Sequence, residues 1–433
     1  MNTVSPGEEK PIEGSLLADE FIRELVAVGE VDLLVGVPTL NDAKTVGHVV
    51  QAAQIGFAKH FPRERTVLVN ADGGSRDGTP EVFMSVAVDA PHRLLASQPL
   101  RTMHRVSTRH QGSPGAAAAL RTIIAAADLL RAKACAIVSP DLASINPAWI
   151  DNLLRPIHKE GFDLVTPLYY RHKFDGLLVS NFLYPLVRAA CGQRLREPLA
   201  TEFAFSGRLA GHLLEQGFWR EAEDVSSPEI WITTLALLGD FRVCQSFLGP
   251  KVHGAKDARQ DLVGTLRRAV GTLFRCLEAQ ESQWSSKTGS EAVPTFGFPY
   301  EVALERVRFN RKRLLQMFRT GVTELASILQ AILAEGTLHE IQEIAKLADD
   351  EFLYSDELWV KTIYDFAGAY HRSVINRDHI IQSLAPLYRG RIGSFVLQNH
   401  NASSEAIEKA IEGLCEEYER LKAYWLDRWT PNK

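Results

Sequence analysis

Apolar and polar positions in the first part of the chain repeat one unit. Residues 32–37 read DLLVGV, an apolar run of β-type residues closed by Pro38. Val46, Val49, Val50, Ala53 and Phe57 then recur at helical spacing, so strand, loop and helix follow one another. A second cycle opens with a strand at 66–69, turns through NADGGSRDGTPE and continues into 82–88. Gly73, Gly74 and Gly78 stand in that turn, where a backbone must bend tightly or approach a ligand. A third strand is expected at 92–96. After it come a basic stretch, the loop HQGSPG and an Ala-rich helix over 115–130. The run 134–138 (ACAIV) ends in Ser139, Pro140 and Asp141. Such a run reads as a buried parallel strand bringing one carboxylate to the C-terminal edge of a sheet, where ligands sit in open α/β folds. The plainer reading is that Asp141 caps a following helix.

Strands alternating with helices at this pitch predict a mostly parallel sheet with helices on both faces. Beyond it the pattern becomes mixed. A strand is expected at 162–167, helices near 177–191, 207–217 and 227–238, a strand over 241–247 and a long helix over 258–280. The stretch SSKTGSEAVPTFGFP, 285–299, is rich in turn-forming residues and is expected to be a linker. The division is therefore a lead-in and helix (1–29), an α/β domain (30–284), the linker, and a helical domain (300–433). In the last part, Val322, Leu325, Ile328, Leu329, Ile332 and Leu333 share one face, as do Ile407, Ala410, Ile411, Leu414, Tyr418, Leu421 and Trp425. Thr337 and Glu340 have the spacing of a capping box. The stripes predict core or interface packing.

Composition narrows the function classes. The chain has 433 residues, 45% hydrophobic and 23% charged, with a formal net charge of −5. That charge argues against a dedicated nucleic-acid binder, which needs a concentrated basic face. No apolar run approaches the ~20 residues of a membrane span. The polar, acidic N-terminus lacks a signal-peptide pattern. Five scattered cysteines form no C-x-x-C pair, which suits a cytoplasmic protein with reduced thiols.

The loop after the first strand, PTLND, contains no glycine, and no G-x-x-x-x-G-K-[ST] pattern occurs, so dinucleotide and P-loop chemistry are not expected. What remains is a series of acids at successive strand ends: Asp42, Asp72 and Asp141. Acids suit the ribose and base donors of a nucleotide sugar, and a carboxylate-held divalent ion with basic residues suits its diphosphate. Two basic clusters could supply charge, Arg101 to His110 and Lys251, His253, Lys256 and Arg259; either could equally be a solvated face.

VGVPTLNDAKTVGHVV followed by VLVNADGGSRDGTPE resembles the opening of family-2-type glycosyltransferases with the GT-A (nucleotide-diphospho-sugar) fold. Within that group the chain is similar to the retaining glucosyl-3-phosphoglycerate, glucosylglycerate and mannosylglycerate synthases. The resemblance covers roughly residues 30–280 and implies an α/β, Rossmann-like mixed sheet, here with an all-helical C-terminal region. It implies a nucleotide-sugar site at Pro38, Thr39, Asn41, Asp42, Asp72, Gly112, Gly115 and Ser139, with Asp42 toward the ribose, Asp72 toward the base and the Gly112–Gly115 loop under the diphosphate. It further implies Mg²⁺ or Mn²⁺ held by Asp141 and His253, with Glu202 and Glu229 near the reaction centre, orienting sugar and acceptor.

Three departures stand out. Ser139 replaces the first acid of the D-x-D metal motif, Pro114 replaces a basic residue of the glycine loop, and KFDGLLVSNF lacks the G-R-x-T residues that hold an acceptor phosphate. The expected activity is transfer of glucose or mannose from a UDP-, GDP- or ADP-hexose to a small hydroxy acid, with glycerate favoured over phosphoglycerate, by a cytoplasmic homodimer. The rival expectation is a GT-A-fold protein that binds a sugar nucleotide without turnover and works through its C-terminal helices.

Overall fold

A computed structural model describes residues 17–86, 103–109, 116–217, 227–252, 261–299, 307 and 309–430. Ten strands are described: β1 Leu33–Thr39, β2 Thr66–Asp72, β3 His104–Arg109, β4 Ala134–Ile137, β5 Leu164–Tyr170, β6 Gln193–Arg194, β7 Phe203–Ser206, β8 Val243–Pro250, β9 Glu291–Ala292 and β10 Thr295–Phe296. Eight of them form one sheet in the order β10-β8-β5-β7-β4-β1-β2-β3. β3, β2, β1 and β4 run parallel. β7 runs antiparallel to both its neighbours, β4 and β5, making the sheet mixed. The order is the expected α/β layout, with chain reversals meeting at the C-terminal ends of β1 and β4.

Alternation along β1 shows why both faces are covered. Leu33, Val35 and Val37 join one core with Val49, Val50, Phe57, Trp149 and Leu153, from helices Val46–His60 and Pro147–His158. Leu34 faces the other core, shared with Ile123 of helix Ala116–Leu129. Gly36 lets that helix approach, since a Cβ there would fall 2.3 Å from Ile123 Cγ2. The expected strand at 92–96 lies outside the described residues. The strand that pairs with β2 on the side away from β1 is β3, within the stretch read as merely basic. In HRVSTR Val106 is a buried apolar residue among polar ones, so the apolar pattern that marks central strands is absent.

The C-terminal helices share the second core with the sheet; that cluster runs from Phe21 to Trp429. Trp425 of the last helix, Lys422–Trp429, stacks between Trp284 at 4.1 Å and Tyr364 at 4.8 Å. Lys422 donates to the carbonyls of Ala189 and Trp284, both at 2.8 Å, and burial lowers its amine to about 8. Arg188, 1% exposed, pairs with Glu412 and Glu419 at 2.7 Å each. Residues 285–299 carry β9 and β10, and β10 pairs with β8 at the sheet's edge. Thr337 is no N-cap: its helix starts at Glu335 after Ala334, whose N–H donates to Asp365 Oδ2 at 2.9 Å. Thr337 is buried in the first turn instead. A side chain from a distant helix thus satisfies the N–H at the helix's actual start.

Candidate active site

The loops after β1 and β2 are built around Asp72. Its Oδ1 accepts from the Thr39 hydroxyl at 2.9 Å and the Ser75 hydroxyl at 2.5 Å. Its Oδ2 accepts from the N–H groups of Gly74 at 3.0 Å and Ser75 at 2.8 Å. The carboxylate has no exposed surface and is fully occupied, so it shapes the turn of DGGSRDGT from within. Asn41, in the left-handed region at φ +58°, accepts from Arg76 N through its side chain and donates its own N–H to Ser75 Oγ at 2.8 Å. Thr79 and Asp77 take up the N–H groups of Asp42 at 2.8 Å and Ala43 at 3.0 Å. The two sequence motifs therefore interlock as one polar scaffold.

Beside this scaffold lies a cavity of about 360 Å³, within the usual range for small-molecule sites. Its polar lining comprises Thr39, Asp42, Ser139, Thr201 and Glu229, and its apolar walls include Pro38, Leu120, Ile137 and Phe203. Glu229 stands in the first turn of helix Pro228–Leu238 and accepts from the Ser227 hydroxyl at 2.8 Å. Burial raises its carboxyl above the ordinary range despite that bond. The reversed strand β7 supplies the facing wall: its register sets Phe203 opposite Ile137, so the residues preceding β7 meet those following β4.

Glu202 is held at that meeting point with no exposed surface. Ser139 and Tyr169 donate their hydroxyls to its two oxygens, and Thr201 adds a third bond at 2.8 Å. Lys251 Nζ lies 2.6 Å from Glu202 Oε2 and also donates to Thr201 Oγ1 at 2.8 Å. Burial alone would raise the Glu202 carboxyl, but the Lys251 charge and these hydrogen bonds bring it down to about 2. The same burial, with the Glu202 charge, drives the Tyr169 hydroxyl well up.

Of the residues singled out in the sequence, Pro38, Thr39, Asp42, Ser139 and Glu229 line one cavity. Asp72 and Glu202 lie behind its walls with their oxygens engaged. Asp141 follows in the turn after β4. The chain leaving β8 is tied to the same turn, since Ala143 donates to Val252 O at 2.8 Å and Val252 to Ser144 Oγ at 3.0 Å. Gly112, Gly115 and His253 lie outside the described residues. Among the described residues no group of three His, Cys, Asp or Glu side chains is placed to hold a metal ion. The donor chemistry of Asp141 fits a divalent ion that draws its remaining oxygens from a ligand and water. Sequence reasoning passed over Tyr169 and counted Lys251 only within a basic cluster, because its pairing with Glu202 spans distant strands.

No family model matches the chain, and no curated protein matches it. Among solved structures it is similar to a glucosyl-3-phosphoglycerate synthase from Mycobacterium tuberculosis in complex with phosphoglyceric acid, at 21% identity and a TM-score of 0.40, over 59% of this chain and 83% of that one. The same enzyme in complex with Mn²⁺ and uridine-diphosphate-glucose overlaps at 23% identity and a TM-score of 0.41, over 59% of this chain and 82% of that one. Likenesses of this degree leave the function to be read from the site itself.

Proposed function

We propose that the protein is a retaining glycosyltransferase of GT-A type that moves a hexose from a nucleoside diphosphate sugar to a small hydroxy acid. The observation that carries this reading is the interlocked pair of loops PTLND and DGGSRDGT, standing at one sheet edge over a cavity that also receives Ser139 and Glu229. Asp42 would face the ribose. Asp72 would serve the base side by fixing the turn that meets it.

Asp141 and His253 would hold Mg²⁺ or Mn²⁺, and that ion, when bound, would neutralise charge on the departing diphosphate. Glu229, half-buried at the cavity wall, orients sugar and acceptor hydroxyl. The acceptor attacks from the face the diphosphate leaves, and its proton passes to the departing phosphate oxygen. Glu202 keeps Ser139, Thr201 and Tyr169 in place and excludes water from behind the wall.

The acceptor is a hydroxy acid without phosphate, such as glycerate. After β5, Arg171 is committed to Glu197 at 3.1 and 3.0 Å, and Lys173 to the carbonyls of His400 and Ala402 at 2.8 and 2.9 Å. Neither is held ready for a phosphate.

A screen of UDP-, GDP- and ADP-hexoses against glycerate and phosphoglycerate, read by nucleotide release and mass spectrometry with Mn²⁺ or Mg²⁺, tests the reading. It expects a glycosylated acid, lost in Asp141→Ala. Nucleotide release no faster than donor hydrolysis would sink the transferase assignment. Ser139 in place of an acid favours the second reading, a sugar-nucleotide-binding protein without turnover, which calorimetry would reveal as EDTA-insensitive binding with no product.

A further inference from the structure

Ser139 stands where the resembling family carries the first acid of its metal motif. Its hydroxyl donates to one oxygen of Glu202, and Lys251 closes on the other at 2.6 Å with 11% of its side chain exposed. Ser139 and Thr201 line the cavity, while the carboxylate and ammonium lie behind them. An aspartate in place of Ser139 would bring a second carboxylate against Glu202, where one lysine can neutralise only one of them. Two carboxylates sharing a buried site do not both ionise readily. A neutral hydroxyl at 139 adds a hydrogen bond to that pair without a second charge.

We propose, building on the transferase reading above, that Ser139, Glu202 and Lys251 form one charge-balanced unit in place of the missing first acid. The wall is then complete without a metal, and the divalent ion reaches Asp141 together with the nucleotide's diphosphate oxygens rather than ahead of them. An acid at position 139 is admitted only when Glu202 is made neutral. Lys251 acts through Glu202 as a positioning residue.

The test compares full-length wild type, Ser139→Asp, Glu202→Gln and the double variant by thermal melting and by Mn²⁺ titration followed by electron paramagnetic resonance, with and without UDP. Wild type is expected to bind Mn²⁺ at least about tenfold more tightly with UDP than without. Ser139→Asp should melt below wild type by about 2 °C or more. In the Glu202→Gln background the same change should cost little, and the double variant should bind Mn²⁺ alone at least about tenfold more tightly than wild type. The proposal is overturned if Ser139→Asp alone melts like wild type and gains Mn²⁺ affinity without UDP. It is equally overturned if UDP binds but leaves wild-type Mn²⁺ affinity unchanged. Absence of UDP binding in every variant would instead remove the transferase reading, and the melting comparison would still decide the coupling.

Discussion

Lys251→Met is the sharpest single perturbation of this protein. The change keeps the side chain's length and apolar stem and deletes the charge that faces Glu202. At 2.6 Å the pair's attraction is about 6 kcal/mol with an effective dielectric of ~20, part of which only offsets the cost of burial. A second route uses the carboxyl itself. Its fall from 4.5 to about 2 corresponds to about 3 kcal/mol of preference for the ionised form. Breaking one side of a buried pair ordinarily costs ~3–5 kcal/mol, so we expect a loss of about 3 kcal/mol at pH 7. Because the folded value is depressed, Glu202 contributes stability that is present above pH 4.5 and lost as pH falls toward 2. Without the lysine, burial raises the carboxyl, so the variant's deficit is greatest at neutral pH and shrinks below about pH 4.5. Urea denaturation of wild type and variant at pH 7, 5 and 3.5 measures this, with Glu202→Gln/Lys251→Met expected to recover most of the loss. A deficit under about 1 kcal/mol, or one unchanged across these pH values, would refute the account of the wall.

Three further outcomes follow from the same geometry. Asp72→Asn sets an amide donor against the N–H and O–H groups that the carboxylate accepts, and should cost about 2–4 kcal/mol in urea denaturation and weaken nucleotide binding by calorimetry. Glu229→Gln should lower turnover about 10²-fold with donor affinity little changed; because burial raises this carboxyl, the ionised form opposes folding. The variant should therefore gain stability over wild type at pH 8 and lose that advantage below about pH 4. Arg188→Met should cost about 3 kcal/mol by removing a buried cation shared by Glu412 and Glu419; equal melting curves would show that the pairing carries no weight.

The site's frame was legible because local pattern and chemistry agreed there. Val46 to Phe57 fixed a helix and 134–138 a strand, and the acids stood at their ends. What sequence hid was long-range. β3 lacks an apolar rhythm because an edge strand can show polar side chains. Thr337 and Glu340 have the letters of a cap, yet the helix begins earlier, at Glu335, where Asp365 from another helix accepts from Ala334 N–H. Asp72 and Glu202 looked alike as acids available for ligands, whereas the fold turns both inward as acceptors for neighbouring loops. Lys251 belongs with Glu202 only because β7 is reversed, a fact of topology that spacing does not carry.

Arg188 also bears on how the chain is made. Its partners Glu412 and Glu419 lie 224 and 231 residues downstream, and Lys422 reaches back to Ala189 and Trp284 across 233 and 138 residues. During synthesis, helix Tyr184–Cys191 leaves the ribosome long before Glu412 and Glu419 can neutralise its guanidinium. The nascent α/β region must wait with that surface wet until the final two helices arrive. A premature stop after residue 400 would therefore leave an unfinished core prone to aggregation rather than a working front half. Arrival of helices Ser404–Arg420 and Lys422–Trp429 is the event that closes this core.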